Sequence, residues 1–122
     1  LGDVYKRQSG ARARAEIGQG TIRVEVDSGT PLDWVMFRSY CIGAAHMAYS
    51  WVTSESLSVD PSGDVQDLTV RSFGVLRSSD TPHIEVVSVG EGQVLAAGEA
   101  VFAAVAAATW LNRGCPPDLP TG

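Results

Sequence analysis

The sequence predicts an α+β fold, a few strands plus two helices, and three observations carry that prediction. One segment alternates apolar and polar residues with the period of a strand, two longer segments carry helix start and stop signals, and turn-forming residues punctuate the stretches between. A chain of 122 residues, 44% hydrophobic and 19% charged, has room for one domain with one modest core.

Thr21–Val26 places Ile22, Val24 and Val26 on one face and Thr21, Arg23 and Glu25 on the other, which predicts a half-buried strand. Asp27-Ser28-Gly29 ends it, and Thr30, Pro31 and Asp33 open a helix expected to run to about Tyr49. Val35, Met36, Tyr40, Gly43 and Met47 recur at three- and four-residue steps and read as its buried stripe. Trp51–Val59 reads as a strand, Asp60-Pro61-Ser62-Gly63 as a turn, and Leu68-Thr69-Val70 as a short strand. Arg71–Thr81 has little period, Ile84–Val89 is strand-like, and Gly90-Glu91-Gly92-Gln93 is a loop. The last helix runs from about Gly98 to Asn112, with Arg113, Gly114 and Pro116-Pro117 to stop it. Its alanines give high helix propensity but little area to bury, so it needs close neighbours.

Composition excludes several classes of function. A net charge of -5 and only 9 basic residues spread along the chain argue against nucleic-acid binding. The longest apolar run, Val101–Ala108, is too short to cross a bilayer. Cys41 and Cys115 form no metal-binding spacing and read as two reduced thiols in a cytoplasmic protein. Leu1–Gln8 lacks an initiator Met and reads as a translated sequencing adapter, so the protein is expected to continue upstream of Ser9.

Self-contained catalytic motifs are scarce. His46 falls on or near the apolar stripe of the first helix and reads as a core or boundary histidine, while His83 has no evident partner. Glu99 sits in the first turn of the alanine-rich helix. There it either complements the helix dipole or acts as a buried general base.

Taken in order, these segments resemble the C-terminal part of the molybdopterin-binding large subunit of the xanthine dehydrogenase and aldehyde oxidase family. Asp27-Ser28-Gly29 matches the family's D-x-G, and Arg38, Gly43, Trp51 and Glu55 follow at family spacing without a gap. Asp60-Pro61-Ser62-Gly63 matches a D-P-x-G turn. Phe73, Val75, Asp80, Pro82, Ile84, Glu85 and Val86 echo a later stretch, and Ala97-Gly98-Glu99 echoes the G-x-G-E before a small-residue helix. Tyr40 stands where the family has a glutamine, Ala96-Ala97-Gly98 where it has G-x-G, and Ala100 where it has proline.

The resemblance implies that residues 9–114 are part of a molybdopterin-binding domain, followed by a tail at 115–122. It implies a molybdenum held by the pterin dithiolene, Glu99 as catalytic base, and cofactor contacts at Asp27, Gly29, Arg38, Tyr40, Gly43 and Gly98. The implied reaction is hydroxylation of an aldehyde or N-heterocycle with a water-derived oxygen, electrons leaving through iron–sulfur and FAD partners. The remainder of the large subunit would be the other partner, and the fragment alone would be inactive. The departures at Tyr40 and ahead of Glu99 fit an alternative, a non-catalytic relative or assembly module that keeps the fold without the cofactor.

Overall fold

Valine and isoleucine at every second position give the central strand one apolar face, and the rest of the fold is arranged to cover that face. The computed structural model describes residues 2–6, 10–66 and 69–120. Strands β1 (Gly2–Lys6), β2 (Arg12–Gly18), β3 (Thr21–Asp27) and β6 (His83–Ser88) form a sheet in the order β1-β2-β3-β6. The first three run antiparallel and β3 pairs parallel with β6. A parallel pair needs a crossover, and helix α1 (Trp34–Thr53) supplies it. A small ribbon of β4 (Ser58–Val59) and β5 (Val65–Gln66), a single turn α2 (Val70–Phe73) and a 3-10 turn at Ser78–Asp80 follow before β6. Helix α3 (Gly98–Asn112) closes the fold. Strands and helices thus occupy two layers, the α+β class the sequence predicts.

One face of the sheet is the core. Ala15 pairs across to Val24 and Val24 to Val86, while Ala13 pairs to Val26 and Ile22 to Ile84; all are buried. Helix α3 covers β1 and β2, α1 covers β6, and the two helices pack on one another. The opposite face carries charge: Arg23 lies 2.7 Å from Glu25 and 3.9 Å from Glu85, and Arg14 lies 3.8 Å from Glu16. Such exposed pairs contribute little to stability.

Strand β3, the Asp60–Gly63 turn, β6 and the span of α3 follow the sequence pattern closely. Other expectations are corrected. Helix α1 is capped by Asp33, whose Oδ1 accepts from the Met36 amide at 3.1 Å, so Thr30 and Pro31 lie ahead of the helix. The segment expected to be a strand at Trp51–Val59 instead continues α1 to Thr53. Ala48 and Val52, four residues apart, are both buried and keep the helical pitch. Only Ser58 and Val59 are extended there. Of Leu68-Thr69-Val70, Leu68 lies outside the described residues, and Thr69 caps α2 by accepting from the Ser72 amide instead of joining a strand. Arg12–Gly18 gave no strand signal because alanine, at Ala13 and Ala15, is a poor strand former. Gly2–Lys6, inside the segment set apart on sequence grounds, runs antiparallel to β2.

The largest correction concerns the stripe on α1. Val35, Met36, Tyr40 and Met47 face outward, at 56–74% exposure. The face turned to the core instead carries Cys41, Ala44, Ala45 and Ala48. Small side chains let α1 sit close to α3, whose own buried set includes Ala100, Ala104 and Ala108. The tight interface therefore selects the small face of the helix and leaves the large apolar face outside.

Two measurements test this packing. Ala104 is fully buried, so Ala104→Leu should lower the urea midpoint by a stability loss of about 1–3 kcal/mol. Leu32→Ser, at a position 95% exposed, should leave the midpoint unchanged. Both thiols are free, but Cys41 is buried and burial pushes its pKa up to about 11, whereas Cys115 is exposed. At pH 8 a thiol reagent should therefore titrate one equivalent promptly and the second only after denaturation.

Candidate functional site

Two loops hold the starts of α1 and α3 side by side. The Val89 amide donates to the Val26 carbonyl at 2.8 Å, the Leu95 amide to Ser28 at 2.8 Å, and the Thr30 amide to Gly92 at 3.1 Å. Two glycines make this approach possible. Gly29, at φ +85°, has the Gln93 carbonyl where a Cβ would stand, and a Cβ on Gly90, at φ +84°, would collide with the Asp27 carboxylate. Asp27 and Gly29 thus pack loop against loop. Between them Ser28 is 1% exposed, and its Oγ has no hydrogen-bond partner.

From this junction a groove of about 750 Å³ opens between α1 and α3. Its walls are mainly apolar, with Met36, Phe37 and Met47 from α1, Leu95 from the loop, and Phe102 from α3. Trp51 stacks on Phe102 at a centroid distance of 5.7 Å. The polar groups on the groove are few: Asp33, Ser39, Tyr40, Cys41 and Glu99. Glu99 stands in the first turn of α3, where the capping residue Ala97 offers no side-chain acceptor.

The structure brings Tyr40, Gly43, Gly98 and Glu99 onto this one groove, from two different helices. Neither Gly43 nor Gly98 has an atom within 4 Å of where a Cβ would be, so both leave open space at the groove. Arg38 borders a neighbouring groove, which shares Ser39 and Gly43 with the first. Glu99 is exposed in this chain, so the buried base considered from the sequence is not formed by these residues alone. Among the described residues no three His, Cys, Asp or Glu side chains converge on a point that could hold a metal ion. No helix among them is long and apolar enough to cross a membrane.

Sequence reasoning missed Phe37, Phe102 and Ser28. The aromatic residues carried no motif, and Ser28 was read as one position of a turn. Its burial arises only when the 90–97 loop folds over it. A structural polar cluster was also missed. Ser50, fully buried in the last turns of α1, accepts from the Leu76 amide at 3.0 Å and donates to Glu55 at 2.9 Å.

No family model matches the sequence, and no curated protein does. Solved structures match at the level of the fold. Quinoline 2-oxidoreductase from Pseudomonas putida 86 superposes over 81% of this chain with a TM-score of 0.64 and 17% identity. A Cu,Mo-CO dehydrogenase in the carbon monoxide reduced state matches over 84% with a TM-score of 0.64 and 14% identity. The reconstituted CO dehydrogenase from Oligotropha carboxidovorans matches over 84% with a TM-score of 0.61 and 13% identity. This chain spans only 14–15% of the length of each of these proteins. It has the fold of a segment of these much longer oxidoreductases.

Proposed function

We propose that this chain is a segment of the catalytic subunit of a molybdenum hydroxylase, oxidising an aldehyde or N-heterocycle with a water-derived oxygen. The observation that carries the proposal is the groove between α1 and α3, which gathers Tyr40, Gly43, Gly98 and Glu99 from separate parts of the sequence. The fold shared with a copper- and molybdenum-containing CO dehydrogenase supports it.

The groove suits a bound cofactor in two respects. Open space at Gly43 and Gly98 admits a flat ring system against the backbone. An apolar wall with a few polar groups is the usual character of a small-molecule site, and about 750 Å³ lies within the usual size range. A molybdenum–pterin group bound here would supply two-electron oxidation, with iron–sulfur and FAD components of the full assembly taking the electrons.

The chain's own residues would then have distinct tasks. Glu99, in the first turn of α3, takes a proton from the water-derived nucleophile. The Tyr40 phenol donates a hydrogen bond toward the cofactor. Phe37 and Phe102 exclude water and offer faces for an aromatic substrate. Asp27 and Gly29 act from behind, locking the loops so that the two helix starts stay aligned. The rest of the subunit would cover the groove and bury Glu99. Two free thiols suit a reducing compartment such as the cytoplasm.

A second reading, a relative that keeps the fold without catalysis, is favoured by Tyr40 in place of an amide side chain and by the exposure of Glu99. The full-length protein separates the two. Glu99→Gln should reduce turnover of an aldehyde or N-heterocycle by roughly 10²–10⁴-fold with folding unchanged. Equal turnover by wild type and variant contradicts the role of Glu99, and wild type with no turnover on a panel of such substrates favours the second reading.

A further inference from the structure

Both histidines of the chain meet in the neighbouring groove, of about 760 Å³, which none of the tasks above uses. It runs between the middle of α1, the 3-10 turn at Ser78–Asp80 and the entry of β6. Arg38, Ile42 and His46 line it at four-residue spacing along one face of α1, and His83 lines it as the first residue of β6. His46 is anchored: its Nε2–H donates to the Leu76 carbonyl at 2.9 Å, which leaves Nδ1 as the remaining polar atom of the ring.

The charge pattern here runs against the rest of the molecule. The chain has 14 acidic residues against 9 Lys and Arg, yet no Asp or Glu lines this groove. Arg14 and Arg23 are paired with carboxylates on the open face of the sheet, whereas Arg38 makes no ion pair among the described residues. Ser39 and Ser78 border the same space, and among the described residues neither hydroxyl makes a hydrogen bond. The Arg38 guanidinium, the His83 imidazole and two hydroxyls, with no carboxylate among the lining residues, form a donor-rich surface.

We propose that this groove binds the oxyanion group, phosphate or carboxylate, of a small molecule. The planar fork of Arg38 pairs with two oxygens, which a point charge cannot do. His83 donates from the opposite wall, and Ser39 and Ser78 reach the remaining lone pairs. This site is independent of the molybdenum proposal and stands if that proposal fails.

The two histidines provide the readout. In the whole chain, titration with inorganic phosphate at fixed pH and ionic strength should shift the ring proton resonances of His46 and His83 together and saturably. The expected Kd is on the order of millimolar, as befits a small exposed site. Acetate in a parallel titration distinguishes a carboxylate ligand from a phosphate, and whichever binds tighter names the source. Chloride should give no saturable shift. Arg38→Met should weaken binding at least ten-fold and Arg38→Lys should fall between, each with an unchanged circular dichroism spectrum. If Arg38→Met does not fold, Arg38→Lys and His83→Ala, with His46 as reporter, carry the test. Linear, non-saturating shifts with both anions overturn the proposal, as does equal affinity in wild type and the folded substitution variants.

Discussion

Between the helices and the sheet, the buried positions are filled by unusually small side chains. Helix α1 turns Cys41, Ala44, Ala45 and Ala48 inward, α3 turns Ala100, Ala104 and Ala108 with Val101 and Val105, and β2 contributes Ala13 and Ala15. Short side chains set short distances between backbones, and a methylene added at such a contact has nowhere to go. The close approach of α1 to α3 decides which face of each helix is inside. It therefore decides that Met36, Tyr40 and Met47 line a groove instead of filling a core.

That constraint explains where the sequence could be read and where it misled. Period-two alternation of Ile22, Val24 and Val26 has one physical solution, and the stop signals after Asn112 leave α3 little choice of end. Hydrophobic periodicity failed on α1 because two stripes compete there. The stripe with the larger residues carries the stronger signal, but the tighter partner accepts only the smaller one. The same alanines hid β2, whose inward positions look neutral until valines of β3 are placed opposite them. Trp51 and Val52 look strand-like in isolation, yet they continue a helix whose buried face already includes Ala48.

The candidate site was legible in part. Tyr40, Gly43, Gly98 and Glu99 were named from residue order and do share a groove, but no pattern in one dimension indicates that Arg38 turns into the next one. Nor could sequence separate the glycines by purpose. Gly29 serves loop packing, whereas Gly43 and Gly98 border open space. The histidines carried no partner signal either, because the partner of His46 is a backbone carbonyl thirty residues away and His83 meets it only across a groove.

Under the proposed function, the apolar outer face of α1 and the groove beside it would take a cofactor and further protein, and that proposal is the central claim about this chain. Molybdenum content of the purified full-length protein tests that claim most directly. The account predicts close to one molybdenum atom per catalytic subunit, with pterin released in the same amount on denaturation. A correctly folded full-length protein containing neither molybdenum nor pterin would contradict it.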